Sequence, residues 1–154
     1  MSDIEKSLSD MGLSLPNAPA PAANYVPYVI SGNLIFVSGQ ISIAADGSLI
    51  TGKLGAELDT EAGAKAAERC ALGLMAQAKA ACGGDFSRLK RVVKLTGFVN
   101  STPEYTDQPK VVNGASDLLV AVLGEAGRHS RSAVGSGARP LGVAVEIEGI
   151  FELA

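Results

Sequence analysis

The hydrophobic and polar positions of the chain change period along its length, and each change predicts a different element. Two β-branched and aromatic runs, 28–30 and 33–41, flank a Ser-Gly-Asn sequence at 31–33, which is typical of a β-hairpin with a tight turn. From about residue 59 to residue 83 the apolar residues instead recur every three to four positions, which predicts a helix laid on a sheet. The apolar stripe of this helix comprises Ala67, Cys70, Ala71, Leu74, Ala78 and Ala81.

The second half of the chain alternates strand and helix again. The β-branched run 91–99 predicts a strand, and the apolar stripe of residues 107–123 predicts a second helix. The segment 131–149 predicts two further strands, which we expect to form a hairpin around a loop at 136–142. With a short run at 49–51 as an optional strand, the order is β-β-(β)-α-β-α-β-β. This order predicts an α/β (α+β) domain whose two helices pack on one face of a mixed sheet.

The last predicted strand distinguishes the two faces of that sheet. Its core face, by the two-residue period of a strand, carries Val143, Val145, Ile147, Phe151 and Leu153. The opposite face carries Ala144, Glu146, Glu148, Ile150 and Glu152. The strand at 33–41 is apolar on both faces, so we expect its second face to be covered by other copies of the chain in an oligomer.

Arg131 lies at the head of the predicted hairpin. If the loop is symmetric, residues whose numbers sum to about 279 lie opposite each other on the two strands of the hairpin. Arg131 would then lie opposite Glu148 and diagonal to Glu146, on the face without helices. An arginine can bind a carboxylate ligand through two hydrogen bonds, and a glutamate among apolar neighbours can hold or transfer a proton near neutral pH. The alternative interpretation is an ordinary cross-strand ion pair on a solvated face, which is common and weak.

Composition excludes several classes of protein. The chain has 154 residues, enough for one domain, and a net charge of −3, which argues against a nucleic-acid-binding protein. No apolar run reaches the roughly 18–20 residues that a membrane span needs. The first twelve residues are acidic and lack a hydrophobic signal core, so we expect a cytoplasmic protein.

Cysteine and histidine content gives no sign of a metal site or a nucleophile. Cys70 and Cys82 fall in one predicted helix, roughly 18 Å apart, which is too far for a disulfide. We therefore expect two free thiols. The single histidine, His129, lies close to Arg131 and could reach a cleft there, but a lone loop histidine is more often solvated. No metal and no cofactor is predicted.

A set of spaced motifs in this chain resembles the RidA/YjgF/YER057c/UK114 family, also known as the L-PSP endoribonuclease family. The motifs are PYV at 27–29, VSGQI at 37–41, FVN at 98–100, Asn113, RSAVG from Arg131, and VEIEGI at 145–150. The spacing of RSAV and VEIE is the most specific part of the resemblance, which covers the chain from about residue 20 to its C-terminus.

The resemblance implies a chorismate-mutase-like fold that assembles as a homotrimer with clefts between subunits. It also implies hydrolysis of reactive enamine or imine intermediates to 2-oxo acids and ammonia, with a small carboxylate or imine as substrate. By correspondence with the family motifs, Arg131 would bind the substrate carboxylate and Glu146 would position or activate the hydrolytic water. Pocket-lining roles would fall to Tyr28, Ser38, Asn113 and the backbone carbonyl of Ala133.

The chain also departs from the family pattern. Residues 1–20 are predicted to be an N-terminal extension to a single domain at 21–154, the connection at 101–112 is longer, and Ala133 replaces a frequent cysteine. These differences indicate a longer-chain branch of the family. Two alternative functions stay open at this point: a non-enzymatic trimer that binds small carboxylates, and an endoribonuclease. The latter is disfavoured because neither a pair of catalytic histidines nor a basic groove is visible.

Overall fold

The structure is a computed structural model that describes residues 3–18 and 24–154. Three helices and five strands make up its regular elements. In chain order they are α1 (Asp3–Asp10), β1 (Tyr28–Ser31), β2 (Leu34–Ile41), α2 (Thr60–Ala81), β3 (Leu89–Asn100), α3 (Gln108–Leu123), β4 (Ser130–Ser136) and β5 (Val145–Leu153). Short 3₁₀ turns at Phe86–Arg88, Gly124–Gly127 and Pro140–Gly142 connect some of them.

The five strands form one mixed sheet in the order β1-β2-β5-β3-β4. β5 is antiparallel to both of its neighbours, whereas β4 runs parallel to β3 at the edge. α2 packs on α3 and on β2 and β5, and α3 packs on β3 and β4, so both helices lie on one face. The predicted mixed sheet with two helices on one face is therefore confirmed.

The predicted hairpin between the last two strands is wrong. β4 is held by β3, with Arg131 paired to Leu95, and β5 is inserted between β2 and β3. The connection through α3 explains this arrangement, because a strand–helix–strand unit places its two strands parallel and side by side. The segment from 137 to 144 then carries the chain across β3 to the centre of the sheet instead of forming a tight turn.

The first hairpin has the predicted form. β1 and β2 pair in antiparallel register from Tyr28 with Val37 to Ser31 with Leu34, and Gly32 has the positive φ of 63° that the two-residue turn requires. Among the described residues, the segment 49–51, which was predicted as an optional strand, does not form one. Its residues form only isolated bridges, between Ile43 and Leu49 and between Thr51 and Val143.

The two long helices begin and end near the predicted residues. The carboxylate of Asp59 accepts a hydrogen bond of 2.8 Å from the backbone N–H of Ala62, which caps the start of α2. Gly83 and Gly84, both with positive φ, follow its C-terminus. All six residues of the predicted apolar stripe of α2 are buried.

The contact between α2 and α3 is close because α3 carries Gly114 at the crossing. A Cβ at this position would lie 2.6 Å from the carbonyl carbon and 2.9 Å from the Cα of Ala64. The two backbones thus touch where a side chain would otherwise separate them. This contact fixes the position of α3 over β3 and β4, and therefore the position of the polar residues that α3 presents at the sheet edge.

The N-terminal segment forms a helix over residues 3–10. Leu8 of α1 is only 1% exposed and belongs to the same hydrophobic core as the sheet, and Glu5 forms an ion pair with Lys79 of α2. The Pro/Ala-rich segment 16–27, whose prolines predict an extended chain, lies partly outside the described residues. Among the described residues, no helix is both long and apolar enough to span a membrane.

Candidate functional site

Arg131 lies on the edge strand β4 and extends toward α3. Its Nη1 donates a hydrogen bond of 3.0 Å to the hydroxyl of Ser116, and its Nη2 donates one of 3.2 Å to the carbonyl of Pro109. Its partner in the register is Leu95, which is fully buried on the helix face. The predicted placement of Arg131 on the face without helices is therefore wrong. The parallel pairing of β4 with β3 determines which side chains of β4 point to each face, and the result differs from that of a hairpin with β5.

Two of the other predicted residues lie beside Arg131. Asn113 is exposed on α3, one helical turn from both Pro109 and Ser116, the two residues that hold the guanidinium. Ala133 follows Arg131 by two residues on β4, so it shares its face, and it packs partly buried against the core. We call Arg131, Asn113 and Ala133 the edge group.

His129 completes a hydrogen-bonded chain behind Arg131. Its Nδ1 lies 2.6 Å from the carbonyl oxygen of Gly127, and its Nε2 lies 2.9 Å from the hydroxyl oxygen of Ser116. A carbonyl can only accept, so Nδ1 carries the proton, and in the neutral ring Nε2 accepts the hydroxyl hydrogen of Ser116. The interpretation of His129 as a solvated loop residue is wrong. Its two-residue spacing from Arg131, which puts both on one side of the strand, was the available signal.

Burial lowers the pKa of His129 below its usual value of 6.5, and the positive charge of Arg131 lowers it further, while the hydrogen bond to Gly127 opposes both. We expect a proton NMR titration of this single histidine to give a pKa below 6.5, and Arg131→Ala to raise it. Arg128→Ala serves as the control, since Arg128 is paired with Glu125 at the surface. An unchanged pKa in Arg131→Ala would show that the two side chains are not adjacent.

Glu146 lies on the face of the sheet without helices. Its partners in the register are Phe98 of β3 and Ile41 of β2. Its carboxylate accepts a hydrogen bond from Nη2 of Arg139, and the guanidinium of Arg139 lies 4.8 Å from the centre of the Phe98 ring. Both charged side chains are only 18% exposed, so Glu146 is held in a largely desolvated ion pair. Sequence analysis missed Arg139, which no motif distinguishes.

Ser38 and Tyr28 lie on the hairpin side of Glu146. The register between β2 and β5 shifts between Val37 and Gln40, and this irregularity brings Gly39 next to Glu146, where an added Cβ would lie 2.6 Å from Oε2. The hydroxyl of Ser38 donates a 2.8 Å hydrogen bond to the carbonyl of Val26. Tyr28 is half-buried and pairs with Val37. We call Tyr28, Ser38 and Glu146 the hairpin-side group.

The two groups do not meet within one chain. Glu146 of β5 pairs with Phe98 of β3, and Phe98 pairs in turn with Val134 of β4, two strands away from Glu146. Val134 lies three residues beyond Arg131 along β4. Two strand spacings of about 4.8 Å each, and three residue steps of about 3.3 Å each along the strand, separate the Cα atoms of Arg131 and Glu146 by roughly 14 Å. Their side chains also leave opposite faces of the sheet. The predicted contact of Arg131 with Glu148 and Glu146 is therefore wrong.

Two cavities of the single chain lie away from both groups. One of about 570 Å³ lies between the N-terminal segment and α2, and it is lined by residues such as Leu13 and Ala76. A depression of about 180 Å³ lies on the face without helices, between Phe36 and Lys94. Neither is lined by any of the six predicted site residues. A pocket that contains both groups would need a second copy of the chain.

Thiol and metal chemistry has little support among the described residues. Cys70 and Cys82 are buried and unpaired, as expected, and burial raises the pKa of both thiols. The part of the chain that the structure describes contains no cluster of three or more histidine, cysteine or acidic side chains suited to a metal ion.

The fold and the motifs place the chain among known proteins. The sequence model of the family described as "YjgF/chorismate mutase-like, putative endoribonuclease" matches residues 5–150. The chain belongs to this YjgF/L-PSP family and has its chorismate-mutase-like fold. The resemblance stated from the sequence motifs is thereby confirmed.

The chain is also similar to individual members over nearly its whole length. Protein TCP17 of Trypanosoma cruzi is 50% identical to it over 97% of this chain and 94% of TCP17. The crystal structure of Atu1372 from Agrobacterium tumefaciens, a protein of unknown function, is 47% identical, with a TM-score of 0.92 over 99% of this chain and 93% of that one. A "putative endoribonuclease" from Shewanella oneidensis MR-1 is 37% identical, with a TM-score of 0.91 over 97% and 99%.

Proposed function

We propose that this protein hydrolyses reactive enamine or imine intermediates to 2-oxo acids and ammonia. The observation that supports this proposal most is the hydrogen bonding of the Arg131 guanidinium. A guanidinium has five N–H donors, and two of them bind Ser116 and Pro109. Among the residues that the structure describes, the other three donors have no partner, and they lie beside the exposed amide of Asn113. Three donors are enough for the two oxygens of a substrate carboxylate.

The catalytic site is completed in this proposal by a neighbouring copy. The edge group of one chain meets the hairpin-side group of the next, and because these are different surfaces, the contact is head-to-tail and generates a ring. Large apolar side chains on the face without helices are exposed in the single chain: Val29 by 52%, Phe36 by 41% and Val134 by 42%. A homotrimer, as the family resemblance implies, would bury this surface and bring Glu146 to a neighbour's Arg131.

The chemistry needs only these groups. Arg131 orients an imine by its carboxylate, and Glu146 accepts a proton from a water that attacks the imine carbon. The carbon–oxygen bond forms as the C=N π bond opens, and Glu146 returns the proton to nitrogen, which gives a carbinolamine. Glu146 then moves the hydroxyl proton of the carbinolamine to nitrogen, and the carbonyl of the 2-oxo acid forms as the carbon–nitrogen bond breaks and ammonia leaves. Arg139 holds the side chain of Glu146 in place through their ion pair.

An endoribonuclease, the activity named for the family model and for the Shewanella protein, fits this chain less well. RNA cleavage without a metal usually needs an acid–base pair, and the single histidine is half-buried and bonded on both ring nitrogens. Residues 88–94 form a basic segment that could contact RNA. Within it, Lys90 forms an ion pair with Glu152, and Arg91 donates a hydrogen bond to the carbonyl of Arg128.

The test is pyruvate release from 2-aminoacrylate generated by a dehydratase. We expect the protein to accelerate it, and Glu146→Gln to lower kcat by about a hundredfold, since general base catalysis contributes about 10²–10⁴. Glu148→Gln is the matched control, because Glu148 lies two residues away on the same face but is exposed. If the wild type gives no acceleration yet binds pyruvate, the protein is a carboxylate-binding trimer. RNA cleavage that survives purification and disappears in Glu146→Gln would favour the nuclease.

A further inference from the structure

We propose that Ser116 and His129 are positioning residues that hold the guanidinium of Arg131 in the orientation that binds substrate. This inference rests on the proposed function of Arg131. It concerns the hydrogen-bonded series from the Gly127 carbonyl through His129 and Ser116 to Arg131, with distances of 2.6, 2.9 and 3.0 Å. We call this series the relay.

The polarity of the relay follows from its first member. The Gly127 carbonyl fixes the proton of His129 on Nδ1, so Nε2 accepts from the hydroxyl of Ser116. The hydroxyl hydrogen is thereby turned toward His129, and an oxygen lone pair of Ser116 is left to accept from Nη1 of Arg131. Each bond sets the direction of the next, as in the relays that orient a catalytic group through a histidine tautomer.

The relay matters because a free arginine side chain has many rotamers. Binding a carboxylate with a mobile guanidinium costs the conformational entropy that is lost when the side chain is fixed in one rotamer. The bonds to Ser116 and to the Pro109 carbonyl hold Nη1 and Nη2 before a ligand arrives. The Pro109 bond uses backbone, so Ser116 is the side chain through which the orientation can be changed by mutation.

The hydrogen bonds connect His129 to Arg131 through Ser116. His129 is half-buried at the end of the loop that enters β4, and Gly127, which binds its Nδ1, is itself packed against the backbone of α3 near Leu119. The relay is thus anchored to α3 at two points. Ser116 belongs to α3 directly, and Gly127 is the last residue of the 3₁₀ turn that follows the C-terminal end of that helix.

The experiment is calorimetric titration of the full chain with pyruvate, in the wild type and in five variants. We expect Arg131→Ala to abolish binding and Ser116→Ala to weaken it by about tenfold, whereas Ser116→Thr, which keeps the hydroxyl, stays within about twofold. His129→Phe should weaken binding by about fivefold. His129→Gln, which places an amide oxygen where Nε2 accepts, should recover most of that loss.

The outcomes separate the two proposals. If Arg131→Ala loses binding while Ser116→Ala and His129→Phe bind like the wild type, the relay does not position Arg131 and the proposed function stands. If the wild type fails to bind pyruvate, or Arg131→Ala binds equally well, the proposed function fails and the inference fails with it. Should Ser116→Ala not fold, the nitrogen NMR shifts of His129 in the wild type decide: a neutral ring protonated on Nδ1 supports the relay, and one protonated on Nε2 overturns it.

Discussion

Replacing Arg131 with alanine is expected to lower kcat/KM for enamine hydrolysis by about a thousandfold. Removing one partner of a hydrogen-bonded charge pair costs about 2–5 kcal/mol, and a thousandfold corresponds to about 4 kcal/mol. In this chain the loss falls on the group that orients the substrate. The effect should therefore appear in both KM and kcat, measured as pyruvate release at several substrate concentrations.

Two further variants make the result specific to the guanidinium. Arg131→Lys keeps the positive charge but not the planar fork of donors, so it should recover only a small part of the activity. Arg128→Ala removes an arginine three residues earlier whose ion pair with Glu125 is exposed, and it should leave the kinetics unchanged. Equal activity of Arg131→Ala and the wild type would contradict the assignment of the substrate carboxylate to this residue.

Gly114→Ala is expected to destabilise the fold by about 3 kcal/mol. Alanine favours a helix over glycine by about 1 kcal/mol, but here its Cβ would overlap the backbone of Ala64 and force α2 and α3 apart. Because backbone cannot move aside as a side chain does, the clash outweighs the propensity. Denaturant unfolding at a fixed protein concentration measures the difference.

Gly73→Ala is the matched control for this prediction. It makes the same substitution inside α2, where the added Cβ meets only the side chain of Gln40, at 3.0 Å or more. That side chain can adjust, so the free energy of unfolding should change by less than about 1 kcal/mol. If the two variants were equally stable, the close contact of the helices at Gly114 would not be a constraint on the fold.

Local patterns were enough to predict the elements of the fold. The Ser-Gly-Asn turn and the apolar stripe of α2 each depend on the spacing of a few neighbouring residues, and both lie where they were expected. The two faces of β5 also followed from its two-residue period, since the odd-numbered residues from Val145 to Leu153 are buried.

The pairing of the last strands could not be read in the same way. A short loop between β4 and β5 favours a hairpin, whereas the α3 connection between β3 and β4 favours a parallel pair, and the sequence contains both signals. The parallel pair prevails in the structure. Because the hairpin was predicted in its place, the predicted neighbours of Arg131 and the predicted face on which it lies were both wrong.

The partners of the site residues were the least predictable part. Arg131 and Glu146 were selected by residue type and by their spacing in a family motif. Ser116 and Arg139, which bind them, lie on elements whose approach depends on the whole fold, and serine on a helix or arginine in a loop carries no local signal. Tertiary packing brings these groups together.

The burial of both cysteines has a consequence for the handling and the cellular persistence of the protein. The thiolate is the form that oxidants and alkylating reagents attack, and burial disfavours it at Cys70 and Cys82. None of the six proposed site residues is a cysteine. Peroxide or electrophile stress should therefore leave the proposed site chemically intact.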